Sequence, residues 1–313
     1  QIATGKIAEL LGIKEEEVLM CSTGVIGVPI QINDLVKNLP NLVSDLKGNS
    51  FQNAAEAILT TDLTLKKVAI ETIIQGRKIK IAGLAKGSGM IYPNMATMLA
   101  FLTCDAGIEK KEWDKMISIA VKKSFNAISV DGETSTNDSF IAINAGEKID
   151  TRFLEIIQKG IDIVCQNLAK NIARDGEGAN CLLEVLVLGA KNTEDAIMIG
   201  KSICNSALVK TAIHGCDPNW GRIISAAGNS GVKFNFDEVD LYIDKYQILE
   251  KGKLTQYDSQ KLKDHIKSKM QGRYLVDDIV QIMININSGE SKGTAWGCDL
   301  SKKYIEINSE YTT

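Results

Sequence analysis

Histidine is scarce in this chain, since only His214 and His265 occur among 313 residues. A Ser-His-Asp or Cys-His catalytic arrangement therefore has few possible bases. His265 lies in a lysine-rich segment, which predicts a solvent-exposed side chain, and His214 lies beside Gly215 and before Pro218, where a turn is expected. A nucleophilic hydroxyl in this chain would need a base other than histidine.

Paired cysteines and metal-binding motifs are also lacking. The seven cysteines are an odd number, and no two of them form a C-x-x-C pair. This favours reduced thiols in a cytoplasmic protein over a disulfide framework or a zinc site. The H-E-x-x-H, Walker and strand-linked G-x-G-x-x-G motifs are absent. We therefore expect no metal and no resident cofactor.

Long apolar runs and an excess of basic residues are missing as well. No run approaches the roughly 18 apolar residues of a membrane-spanning helix, and no signal peptide opens the chain. A net charge of -3 gives no electrostatic reason to bind nucleic acid or an anionic membrane. Hydrophobic residues make up 44% of the chain and charged residues 24%, which is typical of a globular protein with a sizeable core. The opening QIATGKIAELLGI reads as the interior of a longer sequence, so we expect the natural N-terminus further upstream.

Helical patterns alternate with strand patterns along the chain. The predicted helices are IAELLGIKEEEVL, SFQNAAEAILTTD, KKEWDKMISIAVKKSFNAI, TRFLEIIQKGIDIVCQNLAKNIARDGEGA and, as one continuous helix, TEDAIMIGKSICNSALVKTAIHG. KKVAIETIIQGRKIKIAGLAKGSG predicts a hairpin around Gln75-Gly76. Further strands are predicted for MCSTGVIGVPI, CLLEVLVLGA and the near-terminal KKYIEIN. This order of elements predicts a layered α+β fold rather than a doubly wound sheet.

The run YPNMATMLAFLTCD, residues 92–105, places Thr97 between a Pro-Asn turn and an apolar segment that predicts a strand buried on both faces. Threonine is a weak nucleophile unless a base lies beside it. Cleavage of the chain before Thr97 would free an α-amine with a pKa of about 8, which can accept the hydroxyl proton. The cut would follow from attack of the hydroxyl on the Ala96 carbonyl. An ordinary threonine at the start of a strand is the alternative.

The run RDGEGAN, residues 174–180, closes the long predicted helix. Gly176 and Gly178 fit an ordinary helix C-terminus. Asp175 and Glu177 do not, because acids are unfavourable at the negative end of the helix dipole. Their presence favours contact with a cation. The polar run SVDGETSTND predicts a capped turn, with a functional site as the alternative.

KGSGMIYPNMATMLAFLTCDA closely resembles the self-processing segment of the ornithine acetyltransferase family, also called bifunctional glutamate N-acetyltransferases. Further matching blocks follow in order from about residue 20 to the last residue: CSTGVIGVPI, AILTTD, SVDGETSTNDS, ARDGEGA, VKTAIHGCDPNWGRIISAAGNSGV and INSEYTT. The resemblance implies an α+β fold, a layered α/β sandwich of the ornithine acetyltransferase or DmpA-like type. It also implies an enzyme with an N-terminal nucleophile.

The same resemblance implies self-cleavage between Ala96 and Thr97 into an α chain, residues 1–96, and a β chain, residues 97–313. Thr97 would then carry an acetyl group as an ester and move it from N2-acetyl-L-ornithine to L-glutamate by a ping-pong route in arginine biosynthesis. Thr23 and Gly24 would form the oxyanion hole. The implied substrate-binding residues are Thr60, Lys86, Thr97, Glu177, Asn308 and Thr313.

Two other classes of function stay open at this point. An amidohydrolase or aminopeptidase with an N-terminal nucleophile would share the threonine chemistry but pass the acyl group to water. A metabolite-binding protein would keep its chain uncut. The sequence also leaves open whether acetyl-CoA serves as a second acetyl donor. For the transferase, the resemblance implies ornithine and N-acetylglutamate as products, a cytoplasmic α2β2 heterotetramer, and no nucleic-acid or membrane partner.

Overall fold

The computed structural model describes residues 1–46, 51–92 and 98–310. Its helices in this part of the chain are α1 (Ile2–Leu11), α2 (Ile32–Asp45), α3 (Phe51–Ala57), α4 (Lys110–Lys122), α5 (Leu154–Arg174), α6 (Thr193–Asn205), α7 (Ala207–His214), α8 (Trp220–Gly228), α9 (Ser259–Lys269) and α10 (Lys302–Glu310). Its strands there are β1 (Lys66–Ile74), β2 (Arg77–Lys86), β3 (Leu99–Cys104), β4 (Ser139–Asn144), β5 (Leu182–Ala190), β6 (Asp240–Ile243), β7 (Tyr246–Glu250), β8 (Lys253–Leu254), β9 (Ile279–Asn285) and β10 (Ser291–Cys298).

Strands β1 to β4 form the first sheet, in sequence order. β1 and β2 pair from Lys66↔Ala85 to Ile74↔Arg77, which confirms the predicted hairpin. Its turn residues, Gln75 and Gly76, have φ values of 55° and 76°. Two left-handed residues give a turn whose twist matches that of the paired strands. β3 then pairs antiparallel with β2, and β4 pairs parallel with β3.

The second sheet has the strand order β10-β5-β9-β6-β7-β8. Helix α5 contacts β1 and β2 of the first sheet and β5 and β10 of the second, so it lies between the two sheets. Helix α6 packs on β5 and β10 of the second sheet. Its buried side chains belong to a second hydrophobic core, separate from the one that contains the buried side chains of α5. Sheets and helices therefore alternate in layers, which confirms the predicted α+β sandwich.

Two glycines allow α5 to approach the first sheet closely. A Cβ on Gly83 of β2 would lie 2.9 Å from the Leu168 side chain, and one on Gly160 of α5 would lie 2.7 Å from Ile81. Ile81 and Leu168 are both fully buried. Each such side chain contributes about 1.5–3 kcal/mol through burial. This packing holds β2 against α5 and so sets the position of the C-terminal end of β2, at Lys86.

The segment of residues 20–30 is not a strand, so the prediction for MCSTGVIGVPI is wrong. Residues 25–28 form a turn, in which the Val28 N–H donates to the Val25 carbonyl over 3.1 Å and Gly27 has a φ of 82°. Proline at position 29 has no N–H to give to a ladder. Apolar composition suggested a buried strand, yet Ile26 is 66% exposed.

The strand predicted for KKYIEIN is also wrong, because these residues lie in helix α10. The Ser301 hydroxyl oxygen accepts the Lys303 N–H over 3.1 Å, which satisfies a free amide in the first turn. Ile305 is 66% exposed, so the apolar alternation does not mark a buried sheet face.

Three other expectations need smaller corrections. The helix predicted over residues 193–215 is broken at Ser206, whose side chain caps α7 by accepting from Val209 N–H. β3 is a strand as predicted, but Thr103 is exposed, so only one of its faces is fully buried. Helix α2 was not predicted, and it packs against α1.

Within the described ranges, no single helix has both the length and the apolar composition to cross a bilayer. Only α6 and α7 taken together meet that test, and they are bent by 59° relative to each other.

Candidate active site

A cavity of about 220 Å³ brings six of the predicted site residues together. These residues are Thr23, Gly24, Thr60, Lys86, Glu177 and Asn308. They come from an irregular N-terminal segment, the loop after α3, the end of β2, the turn after α5, and α10. The sequence therefore predicted a set of residues, distant along the chain, that the fold gathers in one place.

The predicted nucleophile Thr97, the cleavage-site residue Ala96 and the predicted contact Thr313 lie outside the described residues. The described chain resumes at Met98, which is 3% exposed. Its carbonyl accepts the Ser139 N–H over 2.9 Å, just before the β3–β4 ladder begins. The residue that follows Thr97 is thus fixed at the edge of the core.

Thr23 and Gly24 lie on the irregular segment at one side of the cavity. The Asn137 side chain donates to the Ser22 carbonyl over 3.1 Å, which ties this segment to the loop before β4. Gly24 does not have a positive φ, and a Cβ there would meet nothing within 4 Å. Neither backbone conformation nor space therefore requires glycine at position 24, whereas Gly27 of the same segment has a left-handed backbone.

Lys86 is buried, and its ammonium donates to the Thr60 hydroxyl over 2.9 Å. Burial lowers the pKa of Lys86, because removal from water disfavours the charged form, although the Asp62 carboxylate opposes this shift. Lysine at this position can hold a carboxylate, and the neighbouring hydroxyl can orient it.

Glu177 and Asn308 contact each other in the lining of the cavity. The Asn308 side-chain amide donates to the Glu177 carboxylate over 2.8 Å and to the Tyr304 carbonyl, one turn back in α10, over 3.0 Å. A Cβ on Gly89 would lie 2.6 Å from the Glu177 carboxylate, so a side chain at position 89 would displace that carboxylate. Glu177 is the acidic residue among the described lining residues, and its expected contact with a cation stays a prediction.

Asp175, the other acid of that helix end, meets a cation inside the protein. The Lys66 ammonium donates to Asp175 over 2.5 Å and to Asp62 over 2.6 Å. The exposed fractions of the Lys66, Asp62 and Asp175 side chains are 0%, 0% and 2%. Burial opposes ionisation of Asp62, but Lys66 and the Gly87 N–H outweigh it and hold its pKa below the ordinary value.

Two further acids lie close to described residues on either side of positions 93–97. The Asp131 carboxylate accepts the Met90 and Ile91 N–H groups over 2.7 and 2.9 Å. Both carboxylate oxygens of Asp138 are shielded from water and have no hydrogen-bond partner of ordinary geometry within the described chain. Burial raises the pKa of Asp138 to about 8, although Lys86 nearby opposes the shift.

Neither histidine lies in the cavity. His214 Nδ1 lies 2.9 Å from the buried carboxylate of Asp299. The prediction that His265 is freely solvated is wrong: its Nε2 lies 2.9 Å from Asp244, and its side chain is 25% exposed. In the described ranges, no group of three or more histidine, cysteine or acidic side chains could hold a metal ion.

Several cavity and support residues were missed in the sequence. Ser135 and Asn137 line the cavity and come from SVDGETSTND, for which a capped turn was favoured. The hydroxyl and amide density of that run was the available signal. Lys66 had a weaker signal, since it is a lysine at the first position of the alternating strand KKVAIETII.

Comparison with known proteins gives a consistent result. The model of the ArgJ family matches residues 1–313. The arginine biosynthesis bifunctional protein ArgJ of Prochlorococcus marinus subsp. pastoris is 75% identical over 311 residues, covering 99% of this chain and 77% of the relative. The protein of the same name from Prochlorococcus marinus strain NATL2A is 49% identical, covering 100% of this chain and 74% of the relative.

A solved structure agrees with the fold. The crystal structure of arginine biosynthesis bifunctional protein ArgJ from Bacillus halodurans superposes with a TM-score of 0.62 at 38% identity, covering 69% of this chain and 100% of that chain. The family resemblance that the motifs indicated is thereby confirmed, and this chain belongs to the ArgJ family.

Proposed function

We propose that this protein is a bifunctional enzyme of arginine biosynthesis that moves an acetyl group from N2-acetyl-L-ornithine to L-glutamate through an ester on Thr97. The observation that carries the proposal is the pairing of a buried cation, Lys86, with an anion, Glu177, in one cavity. An α-amino acid or its N-acetyl derivative offers a carboxylate to the first, and ornithine or glutamate offers an ammonium to the second. The names of the relatives agree with this pathway.

The nucleophile would be made by self-cleavage. The Thr97 hydroxyl attacks the Ala96 carbonyl, the peptide C–N bond breaks as the nitrogen takes a proton, and water hydrolyses the resulting ester. The products are a carboxylate at Ala96 and a free α-amine on Thr97. That amine then has the pKa needed to accept the hydroxyl proton near neutral pH.

Acetyl transfer would follow in two half-reactions. The Thr97 oxygen attacks the acetyl carbonyl of acetylornithine, and ornithine departs with the proton held by the α-amine. The glutamate amine then attacks the ester, and the Thr97 hydroxyl is regenerated. In both half-reactions the negative oxygen would be stabilised by the Thr23 hydroxyl and the Gly24 N–H, each contributing about 3–4 kcal/mol.

Mass spectrometry of the intact protein and an acetyl-transfer assay test the proposal. Wild-type protein should give two chains that meet at Ala96 and Thr97. Thr97→Ser should still cut, because a hydroxyl remains, whereas Thr97→Ala should stay one chain and be inactive. A Thr97→Ala variant that splits and turns over acetylornithine would rule out Thr97 as the nucleophile.

The alternative is an amidohydrolase or aminopeptidase, which shares every step up to the ester but passes the acetyl group to water. Transfer to glutamate that outpaces release of free acetate favours the transferase; the reverse favours the hydrolase. Acetyl-CoA with glutamate, in place of acetylornithine, tests whether the second activity uses a thioester donor.

A further inference from the structure

Lys66 lies outside the cavity lining, but its ammonium bonds to acids on two of the segments that shape the cavity, the loop after α3 and the end of α5. Its side chain is fully buried, and it is absent from the cavity lining. Its ammonium is shared by Asp62, in the loop after α3, and Asp175, at the end of α5. The two carboxylates would repel each other without this cation, because they are shielded from water.

Asp62 holds two of the site segments. Its carboxylate accepts the Thr60 N–H over 3.2 Å and the Gly87 N–H over 2.6 Å. Thr60 is itself a predicted substrate contact, and Gly87 directly follows Lys86. A single carboxylate therefore sets the spacing between the Thr60 hydroxyl and the Lys86 ammonium.

Asp175 holds the third segment. Its carboxylate accepts the Leu63 and Thr64 N–H groups over 3.0 and 3.2 Å, so it binds the loop that contains Asp62. Its own carbonyl accepts the Ser88 hydroxyl over 2.7 Å. The Ser88 carbonyl in turn accepts the Glu177 N–H over 3.2 Å, which fixes the anion of the cavity.

We propose that Lys66 is a positioning residue for substrate binding, because its ammonium joins the two carboxylates that together hold Thr60, Lys86 and Glu177 in place. The inference rests on the proposed function, since it assigns those three residues to the substrate. Lys66 itself touches no substrate. Its removal acts through two unbalanced buried carboxylates that move the loop after α3 away from β2 and α5.

Lys66→Met tests this, because methionine keeps an unbranched side chain and removes the ammonium, with its charge and its hydrogen bonds to Asp62, Asp175 and the Thr64 carbonyl. At pH 8 the KM for acetylornithine should rise at least tenfold, with kcat within about threefold of wild type. At pH 6 the KM should fall back towards the wild-type value, because one of the two carboxylates can then take a proton. The double variant Lys66→Met/Asp175→Asn lacks the negative charge of Asp175 as well as the ammonium of Lys66. Its KM should be within threefold of wild type at both pH values.

Hydrogen exchange measured by mass spectrometry gives a readout that needs no substrate. Residues 60–66 and 86–90 should exchange faster in Lys66→Met than in wild type at pH 8, after correction for intrinsic rates, and this difference should shrink at pH 6. Lys67→Met is the matched control: it removes the neighbouring lysine, which is exposed on the same strand, and should change neither KM nor exchange.

Three results would overturn the inference: a folded Lys66→Met with wild-type KM at pH 8, a KM increase of equal size at both pH values, or unchanged exchange in the two segments. If the single variant does not fold, the double variant decides, and a tenfold, pH-independent rise in its KM counts against positioning by charge. Wild-type protein that transfers no acetyl group defeats the proposed function instead, and the exchange experiment still tests the role of Lys66.

Discussion

The proposed role of the Thr23 hydroxyl can be tested with a single substitution, because kinetics separate an effect on kcat from an effect on KM. Thr23 lies on an irregular segment next to Gly24, and it is half-buried. A donor that acts mainly on the transition state affects kcat more than KM. We expect Thr23→Ala to lower kcat by about 10²-fold with a smaller change in KM.

Steady-state kinetics with acetylornithine and glutamate measure this effect. Ser22→Ala, which removes a hydroxyl one position earlier, is the control and should keep wild-type kcat. A Thr23→Ala effect confined to KM would move Thr23 from oxyanion stabilisation to substrate binding.

The raised pKa of Asp138 makes the stability of the folded protein depend on pH. Its folded-state pKa of about 8 is above the ordinary value of 3.8, so the folded protein holds a proton that the unfolded chain releases. The protonated side chain adds to the free energy of unfolding fully below the ordinary pKa, and this contribution is lost as the pH rises towards 8. In Asp138→Asn the side chain cannot ionise, so its free energy of unfolding should not fall with pH for this reason. The Tm of wild type minus that of Asp138→Asn should therefore fall between pH 5 and pH 8.

Thermal unfolding at several pH values checks this slope. Asp114→Asn is a suitable control, because Asp114 is 57% exposed and pairs with Lys110 at the surface. It should show no comparable trend. A difference in Tm between wild type and Asp138→Asn that stays constant with pH would contradict the raised pKa.

Helix α10 is the element whose prediction changed most between sequence and structure. As a helix, it presents Asn308 one turn after Tyr304 and directs the amide to Glu177. Hydrogen bonds to charged groups contribute about 1.5–3 kcal/mol each. Deletion of residues 308–313 should thus raise the KM for acetylornithine by about tenfold or more, while self-cleavage proceeds.

Kinetics and intact mass of the truncated protein measure the two effects separately. Ser309→Ala provides the control, because Ser309 is exposed and its hydroxyl donates to the Glu306 carbonyl within the helix. Wild-type KM in the truncated protein would restrict the site to the other lining residues. Loss of self-cleavage would show that the tail supports the cut as well.

Contacts across the whole molecule should hold the two chains together after the proposed cut. β2 belongs to residues 1–96 and β3 to residues 97–313, yet they pair over six residues, from Ile81↔Cys104 to Lys86↔Leu99. Helix α5 adds a buried contact to β1 and β2 from the other fragment. The cut chains should therefore co-elute in native size-exclusion chromatography and separate only in denaturant.

Light scattering on the eluted peak also tests the proposed α2β2 assembly, which should have about twice the 34.1 kDa mass of one chain. The uncut Thr97→Ala variant is the reference for the same shape. Two separate native peaks would contradict the association, and a single peak of one chain's mass would contradict the tetramer.

Local patterns in the sequence determined the parts of this fold that depend on near neighbours. The hairpin around Gln75-Gly76 could be predicted because its turn and its alternation lie in one stretch of chain. Long motifs also pointed to the correct family. The same local reasoning failed for residues 20–30, where apolar content suggested a strand, and for α10, where alternation of apolar and charged residues did so.

Tertiary structure alone decided the geometry of the site. Lys66 and Asp175 are 109 residues apart and Asn308 and Glu177 are 131 apart, so no sequence window contains either pair. His265 likewise gained its partner, Asp244, only through packing. Residue types reveal which charges a chain carries. Whether a charge meets water, a substrate or a buried counter-ion depends on which distant segments the core brings together, because burial and charge pairing act through space and not along the sequence.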